Sequence, residues 1–381
     1  LWTVLGLEVP PPRVGEIFAQ LEMQVEETRD GWRITPPPFR FDIAIEEDLI
    51  EEVGRMVGYD SIPVTPGTVR EALGLAGETR IGAESVADLL VSRGYAEAIT
   101  YSFIDAELEA FVNPGVEAVE LANPISSDMA VLRRSLWPGL ITAARLNLSH
   151  QRPRLKLFEI GPQFTADGGG VTQTTVVAGL ALGGRAPEHW DRAAAGSVDY
   201  FDVKGDIEAL LRLTGAVRKF RFEVGSHPAL SPGRTARIVR DQRTVGWLGG
   251  LHPDVQKRLD KRQSAVVFAL QLDALSPAVL PAFRRYSKFP SIRRDLAIVV
   301  DDGVTADALI EVVRAAAGDI LQQVLVFDVY RGKGVDSRRK SIGLGLILQD
   351  ASRTLTDEDA DQKTRSVMLS LEREFGATIR T

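Results

Sequence analysis

The 381-residue sequence contains no cysteine and only four histidines. Without cysteine it forms no disulfide, no thiolate metal site and no cysteine nucleophile. The histidines stand far apart, show neither metal-ligand nor catalytic-triad spacing, and are predicted to be structural. They are His150, His189, His227 and His252. A P-loop and a Rossmann fingerprint are missing as well. Carboxylates and basic side chains therefore remain as the candidates for binding chemistry.

Long apolar runs are also absent. No uninterrupted stretch of about 20 apolar residues and no charged-then-apolar leader is found, so we expect no membrane span and a cytoplasmic location. The chain opens on Leu1 and not on Met, which predicts a fragment that lacks an amino-terminal part. Its 44% hydrophobic and 25% charged residues are ordinary for a soluble protein of about two or three domains.

Charge is distributed unevenly along the chain. The net charge of −7 argues against a protein that coats nucleic acid over its whole surface. Basic and acidic residues are nearly balanced from Arg284 onward, whereas acidic residues predominate before it. Any RNA contact is therefore expected at the carboxyl end.

An acidic amphipathic helix is predicted after Phe39. Its apolar residues repeat at three- and four-residue spacing: Ile45, Leu49, Val53, Met56 and Val57. Asp48, Glu51 and Glu52 share one helix face, and Asp42 lies at or just before the helix start. A hard, oxygen-seeking cation such as Mg²⁺ would relieve the repulsion between these carboxylates. Alternatively, the carboxylates complement the helix dipole and are solvated, and spacing alone favours this second interpretation.

The same stretch carries a specific signature. Phe39-Arg-x-Asp42, Glu46-Glu-Asp-Leu-Ile-Glu-Glu52 and Arg55-x-x-Gly58-Tyr59-Asp-x-Ile62-Pro63 follow one another. This run resembles the B5 domain of the β subunit of bacterial phenylalanyl-tRNA synthetase. The resemblance implies one Mg²⁺ per chain, held by Asp42, Asp48, Glu51 and Glu52 at the contact with the catalytic α subunit. It implies an interface site and not a reaction centre.

The residues around this helix predict a small winged-helix-like domain over 1–75. A helix is predicted over Pro10–Met23, and a hairpin over Gln24–Thr28 and Trp32–Thr35 around an Asp-Gly turn. A linker follows between Val64 and Thr79. Winged helices often bind DNA, but the acidic second helix would repel phosphate, so DNA binding is disfavoured.

The middle of the chain, 76–285, alternates irregularly between helices and strands. Helices are predicted over Glu84–Tyr95, Val131–His150 and Val203–Thr214, and strands over Ala98–Phe103, Arg154–Gly161, Gln173–Leu182 and two within Val239–Leu251. This mixture predicts an α+β fold with a largely antiparallel sheet. Glu159, in a strand flanked by Arg154 and Lys156, is predicted to form a structural ion pair.

Four motifs in this segment resemble the catalytic-like core of the same β subunit. They are Asn123-Pro-Ile125, Leu132-Arg-Arg-Ser-Leu-Trp-Pro-Gly-Leu140, Leu157-Phe-Glu-Ile-Gly161 and Gly249-Gly-Leu-His-Pro253. The resemblance implies a class II synthetase fold that has lost its activity. Adenylate formation needs arginines around the triphosphate, and here Leu251 and His252 follow the glycine-rich stretch.

From Tyr286 to the end the pattern becomes regular. Strands are predicted over Asp295–Val300, Val324–Tyr330, Ser341–Leu348 and Ala377–Arg380, and helices over Thr305–Ala317 and Thr356–Phe375. Thr356 is predicted to cap the second helix together with Asp359, in a variant of the capping box. This βαββαβ order predicts a ferredoxin-like domain over 286–381. Its motifs resemble the ferredoxin-fold anticodon-binding domain: Phe289-Pro-x-x-x-Arg-Asp-Leu-Ala297, Val326-Phe-Asp-Val-Tyr330, Lys340-Ser341 and Arg353-Thr-Leu-Thr-Asp357.

Basic and aromatic residues of this domain are the candidates for tRNA contacts. The basic ones are Arg293, Arg331, Lys333, Arg338, Arg339 and Lys340, which alternatively flank a strand or form a solvated hairpin rim. Phe289, Phe327 or Tyr330 can supply an aromatic platform for bases if its side chain faces outward. Strand alternation places Phe327 on the opposite face from both Val326 and Asp328.

Taken together, the residues and the resemblance predict an α+β multidomain protein. It would be the carboxyl-terminal portion of the synthetase β subunit: a winged-helix-like B5 domain, an inactive class II-like antiparallel core and a ferredoxin-like anticodon-binding domain. The resemblance implies a chain without a catalytic site, in an α₂β₂ heterotetramer that uses ATP to attach phenylalanine to tRNA(Phe). Two alternatives are a freestanding RNA-binding module, which would not co-purify with an α chain, and a carboxylate-metal hydrolase, which would show phosphoesterase activity.

Overall fold

The fold is that of a computed structural model, which describes residues 1–65, 67, 77–115, 117–167, 170–190, 196–259, 263–283 and 286–380. The chain divides into two compact units, Leu1–Ala76 and Gly77–Thr381. The described residues do not include most of the predicted linker or the first predicted domain boundary, at residues 75 and 76. They also do not include residue 285, at the second predicted boundary. Among the described helices, none combines the length and the apolar character that crossing a membrane requires.

The first unit has the predicted helix, hairpin and helix. Its elements are α1 (Trp2–Leu5), α2 (Pro11–Gln20), β1 (Gln24–Thr28), β2 (Gly31–Thr35) and α3 (Glu46–Val57), followed by a 3₁₀ turn over Tyr59–Ser61. β1 and β2 pair antiparallel, with Thr28 opposite Gly31. The apolar faces of α2 and α3 meet in a small core in which Ile17 and Val53 are buried. Of the residues in the apolar stripe predicted for the acidic helix, Leu49, Val53, Met56 and Val57 belong to this core, whereas Ile45 precedes α3 and is 58% exposed.

The second unit contains a seven-stranded sheet in the order β3-β6-β7-β11-β10-β9-β8. Its elements, with a separate two-stranded pair β4-β5, are α4 (Ala83–Ser92), β3 (Ala96–Glu97), β4 (Phe103–Ile104), α5 (Ala106–Val112), β5 (Val131–Leu132), α6 (Trp137–Ser149), β6 (Leu155–Asp167), β7 (Gly170–Leu182), α7 (Tyr200–Leu213), β8 (Phe220–Val224), β9 (Leu230–Arg240), β10 (Arg243–Leu251), α8 (Pro253–Leu259) and β11 (Ala265–Gln271). All neighbouring strands of the large sheet are antiparallel except β3, which runs parallel to β6. The predicted antiparallel α+β core is confirmed.

Helices cover both faces of this sheet. On one face, Ile207 of α7 packs in a cluster with Val177 and Phe268. On the other face, Leu140 of α6 packs in a cluster with Ala178. Because successive strand residues point to opposite faces, neighbours such as Val177 and Ala178 contribute to different layers. The result is three layers, helix, sheet and helix, with two apolar cores.

Two predicted elements of the core were wrong. The chain leaves the sheet after Ala98, whose N–H donates to Phe158 O at 2.7 Å, and residues 98–102 form no strand. Thr100 turns inward there and its hydroxyl donates to Glu159 Oε2 at 2.7 Å. The helix predicted from Val131 begins only at Trp137, with Pro138 in its first turn. Residues 131–132 pair with β4 instead.

The carboxyl-terminal part forms the predicted βαββαβ arrangement. Its elements are β12 (Ile292–Asp301), α9 (Ala306–Ala317), β13 (Leu321–Tyr330), β14 (Arg339–Leu348), α10 (Asp357–Phe375) and β15 (Thr378–Ile379), in the antiparallel order β13-β14-β12-β15. Both helices pack on one face, where Leu309 and Leu371 are buried with Leu344. The Thr356 hydroxyl accepts from Asp359 N–H at 3.2 Å and caps α10, as the sequence predicted.

The segment that leads into this last sheet is fixed to the core. Arg240 donates to the carbonyl oxygens of Ala274 and Ser276. Ala278 N–H donates to Thr79 O and Val279 N–H to Thr214 O, each at 2.7 Å. The backbone is therefore held against the core as far as Val279.

Candidate RNA-binding face and carboxylate cluster

The carboxylates at the start of α3 are organised around Arg40. Its Nη2 donates to Asp42 Oδ2 at 2.8 Å and to Glu52 Oε1 at 2.9 Å, and its Nε donates to Asp42 Oδ1 at 3.1 Å. Arg55 donates to the other oxygen of Glu52. Burial alone would raise the pKa of Glu52, but the two arginines outweigh burial and the pKa lies below its usual range. Asp42 and Glu52 thus have guanidinium donors.

Asp48, in the same helix, binds backbone groups and not an arginine. Its Oδ2 accepts from the backbone N–H groups of Ala44 and Ile45, at 2.7 and 2.9 Å. These bonds lower the pKa of Asp48 and satisfy donors just before the helix. The sequence had predicted that Asp48 binds a cation or interacts with the helix dipole, and these backbone contacts are a third role.

The fit of Mg²⁺ to these residues can be judged from their donors. Magnesium needs several oxygen lone pairs in near-octahedral geometry. Both oxygens of Asp42 and both oxygens of Glu52 already accept from arginine, and one oxygen of Asp48 accepts from backbone. Over the described parts of the chain, no three His, Cys, Asp or Glu side chains are grouped as a metal site requires. In this arrangement Asp42, Asp48 and Glu52 do not fit the ion, and the exposed Glu51 does not form a group with them.

A buried ion pair lies inside the core. Arg133 Nη1 donates to Glu159 Oε1 at 2.7 Å, and their side chains are only 2% and 4% exposed. Arg133 also donates to Pro162 O at 2.9 Å and to the Thr100 hydroxyl at 3.0 Å. A Cβ at Gly161 would lie 2.6 Å from Arg133 Nη2, so a larger residue there would displace the guanidinium. Glu159 is structurally paired, as predicted, but its partner is Arg133 and not a neighbour in its own strand.

His227 packs between two tryptophans. Its ring lies edge-on to Trp137 at 5.0 Å and to Trp247 at 5.2 Å between centroids. Its Nδ1 accepts from Ala229 N–H at 3.2 Å. Burial lowers the pKa of His227 to about 4, so the ring is neutral near pH 7. This arrangement agrees with the predicted structural role.

The glycine-rich stretch 246–253 belongs to β10 and the start of α8. A Cβ at Gly249 would lie 2.8 Å from Arg234 O of the neighbouring strand, so this glycine allows close strand packing. Leu251 is buried and His252 lies 3.7 Å from Asp254. The stretch therefore builds the sheet and does not form a phosphate-binding loop.

Both described helices of the ferredoxin-like domain pack on the same face of its sheet, and we call the opposite face the open face. In β14, Ile342 and Leu344 face the buried core. Gly343 and Gly345 alternate with them and therefore lie on the open face. The Phe327 ring lies directly over Gly343, since a Cβ there would be 2.8 Å from the ring. In the same way, the Arg293 guanidinium lies over Gly345, at 3.3 Å from the position of a Cβ. The two glycines leave room for these side chains to pack against the sheet.

Two aromatic rings on the open face are each accompanied by an arginine. The Arg293 guanidinium lies 5.6 Å from the Phe327 ring centre, and Phe327 is 53% exposed. Tyr330, opposite Ser341 in the register, lies 4.2 Å from the Arg380 guanidinium. Arg380 was missed by sequence reasoning, because no motif surrounds it. Such cation–π pairs attract the guanidinium to the ring face.

A β-bulge sets the position of Phe327. The register shifts between Val326, which pairs with Leu344, and Asp328, which pairs with Gly343. Regular alternation had placed Phe327 opposite both neighbours. The bulge inserts one residue, so Val326 and Asp328 lie on different faces and only the prediction for Val326 holds.

The six predicted basic residues fall into two groups. Arg293, Arg331, Lys333 and Arg338 are exposed, with Arg331 paired to Asp302 at 2.7 Å. Arg339 instead donates to the backbone carbonyls of Val299 and Gly376. Lys340 is only 9% exposed and donates to Asp302 O at 2.7 Å, and burial lowers its pKa. The last two side chains therefore bind the protein's own backbone.

Comparison with known proteins places three family models along the chain. The tRNA synthetase B5 domain matches residues 2–59, the phenylalanyl tRNA synthetase beta chain CLM domain matches 62–272, and the ferredoxin-fold anticodon binding domain matches 287–380. A solved structure, the pyrrolysyl-tRNA synthetase of Desulfitobacterium hafniense, is similar with 18% identity and a TM-score of 0.38. That similarity covers 50% of this chain and 66% of the solved one.

Curated relatives are similar over almost the whole chain. The phenylalanine–tRNA ligase beta subunit of Methylococcus capsulatus is 45% identical over 377 residues, which are 99% of this chain and 47% of the relative. That of Vibrio cholerae is 41% identical over 380 residues, 99% of this chain and 48% of the relative. The chain thus spans about half the length of the curated relatives it matches. Since the beta chain CLM model matches more than half of the 381 residues, the chain belongs to the phenylalanyl-tRNA synthetase beta chain family.

Proposed function

We propose that the chain is a non-catalytic part of a phenylalanine–tRNA ligase β subunit. It supports ATP-dependent attachment of phenylalanine to tRNA(Phe) by binding the α subunit and the tRNA, within a cytoplasmic α₂β₂ assembly. The similarity to named beta subunits over 99% of the chain supports this proposal. The observation that carries it is the open face, with Phe327 beside Arg293 and Tyr330 beside Arg380.

The proposed division of labour follows three domains, 1–75, 76–285 and 286–381. The compact unit that ends at Ala76 supports the first boundary. We assign the first domain and the core to assembly with the α subunit, and the last domain to the tRNA anticodon arm. The resemblance implied one Mg²⁺ in the first domain. The contacts of Arg40 with Asp42 and Glu52 do not support a bound ion there.

The core is proposed to be silent in catalysis. Helices pack on both faces of its large sheet, and its buried Arg133 is engaged by Glu159 and by Thr100. A triphosphate needs arginines that are free to bind phosphoryl oxygens as charge develops. The chemistry, and with it the use of ATP, is therefore assigned to the α subunit.

The open face has the properties that single-stranded bases require. Unpaired bases stack on exposed aromatic rings and on guanidinium planes, at roughly 1–3 kcal/mol per base. The exposed Phe327 and the partly buried Tyr330 lie on one sheet face, and β14 has Gly343 beneath Phe327. The exposed Lys333 and Arg338 lie in the neighbouring β13–β14 connection and are proposed to contact phosphates. Arg339 and Lys340 are proposed to support that connection through their backbone contacts.

Neither of the two alternative functions is supported by the structure or by the family models. A freestanding RNA-binding module leaves the first domain and the core without a role. A carboxylate-metal hydrolase needs carboxylates open to a cation, whereas Asp42 and Glu52 are bound by Arg40.

A salt series of tRNA binding tests the proposal on the assembled enzyme. Log affinity falls as log salt concentration rises. Each true phosphate contact that is removed should make this fall shallower, by roughly 0.7–0.9 in the magnitude of the slope. Lys333→Ala with Arg338→Ala should therefore lower the slope, whereas Phe327→Ala should weaken binding with the slope unchanged. Arg365→Ala, on the exposed side of α10, is the matched control. Equal affinity and equal slope for the enzyme truncated before Tyr286 would refute anticodon binding by this domain.

A further inference from the structure

The carboxylate of Glu52 lies in an environment where a charge needs partners. The residue is 9% exposed and belongs to the buried side of α3 beside Val53. Burying an unpaired carboxylate is costly, so its charge has to be balanced from within the protein or by a bound cation. Both of its oxygens accept from guanidinium groups, those of Arg40 and Arg55.

Arg40 links two separate parts of the first unit. One edge of its guanidinium binds Asp42, four residues before the start of α3, and its Nη2 reaches across to Glu52 in the second turn of the helix. The Arg40 side chain is itself only 19% exposed. Planar two-point contacts with carboxylates are the geometry that favours arginine over lysine. The guanidinium therefore fastens the segment before α3 to the helix.

A divalent cation and this guanidinium compete for the same oxygens. Mg²⁺ would need oxygens of Asp42 and Glu52 that now accept from Arg40, and the positive guanidinium would repel an ion held on their remaining lone pairs. We propose that Arg40 is the built-in counter-ion of this carboxylate cluster, so that the unit Leu1–Ala76 is stable without Mg²⁺ and Arg40 excludes the ion.

The proposal makes opposite predictions for the wild type and for Arg40→Ala. The wild type should show the same exchange rates for its α3 amides in Mg²⁺ and in EDTA, and no Mg²⁺ binding at the cluster. Without Arg40, the negative charges of Asp42 and Glu52 lose a guanidinium partner. In EDTA the α3 amides of Arg40→Ala should therefore exchange roughly tenfold faster than those of the wild type, or more. Added Mg²⁺ should then restore much of this protection, because the oxygens have become available.

The experiment combines hydrogen exchange by mass spectrometry with calorimetric titration of Mg²⁺, on the full 381-residue chain. Arg40→Lys keeps the charge but loses the planar contacts, and should lie between the wild type and Arg40→Ala. Arg13→Ala is the matched control, since Arg13 forms an exposed pair with Glu16 in the same unit. It should exchange like the wild type in both buffers.

Two results would overturn the proposal. One is a wild-type chain that binds one Mg²⁺ and loses α3 protection in EDTA, with binding abolished by Asp48→Ala and Glu51→Ala together. The other is an Arg40→Ala chain that behaves like Arg13→Ala and gains nothing from Mg²⁺. If Arg40→Ala does not fold in either buffer, the wild-type titration and its EDTA comparison decide the question.

Discussion

The buried pair of Arg133 and Glu159 allows a quantitative prediction. Replacing Arg133 with Met removes the 2.7 Å bond to Glu159 and the bonds to Thr100 and Pro162. Among the described residues, Glu159 then keeps the donors of Thr100, its hydroxyl at 2.7 Å and its N–H at 3.3 Å. A carboxylate buried with so few donors destabilises a fold by about 3–5 kcal/mol. We expect Arg133→Met to lower the free energy of unfolding of the core by about that amount.

A double-mutant cycle separates the pair from general packing. Adding Glu159→Leu to Arg133→Met removes the unpaired charge, so the double variant should be more stable than Arg133→Met alone, and the coupling should be about 1–3 kcal/mol. Urea unfolding followed by tryptophan fluorescence measures both, since Trp137 lies in the adjoining apolar cluster. Arg221→Met, which breaks an exposed pair with Glu311, is the control and should cost no more than about 1 kcal/mol. Coupling near zero, or a cost for Arg133→Met no larger than the control, would refute the reasoning.

Three further predictions concern the aromatic cluster, the core and the open face. His227 has a pKa of about 4 in the fold against 6.5 when unfolded, so the unfolded chain binds more protons between these values and stability falls as the pH drops through them. His227→Gln should reduce that loss, and unfolding at about pH 7 and about pH 5 measures it; an unchanged loss would contradict the assignment. The chain without an α subunit should show no phenylalanine-dependent exchange of pyrophosphate into ATP, and appreciable exchange would mean an overlooked active site. Gly343→Ala should push the Phe327 ring off β14 and weaken tRNA binding by the assembled enzyme, whereas Gly303→Ala, which has open space at the Cβ position, should not; equal binding would show that the ring position is irrelevant.

Local sequence patterns were sufficient to predict the helices and the hairpin that bury one face. The spacing of apolar residues predicted α2 and α3, and the Asp30-Gly31 pair predicted the hairpin between them. Thr356 and Asp359 predicted the start of α10, because a capping box satisfies backbone donors within four residues of the chain. Such signals lie within the element that they specify, so they can be recognised without tertiary contacts.

Features that depend on distant residues were not accessible in this way. Thr100 leaves the predicted strand because Glu159, far along the sequence, accepts from its hydroxyl. The bulge at Phe327 depends on how β13 pairs with β14, and alternation within one strand carries no sign of it. Repulsion among the acidic residues of α3 was visible in the sequence, but the proximity of Arg40 to Glu52 follows from the fold.

The attachment of the carboxyl-terminal sheet to the core has a consequence for the proposed RNA binding. Backbone bonds hold the chain to the core at Val279, and Ser287 is bonded to Asp350 O at 2.7 Å beside the last sheet. The stretch between them can reach at most roughly 25–30 Å when fully extended. An anticodon arm bound to the open face is thereby kept within a small volume around the core. Its effective concentration at any second contact on the core is set by that short reach, so two weak contacts can act as one strong one.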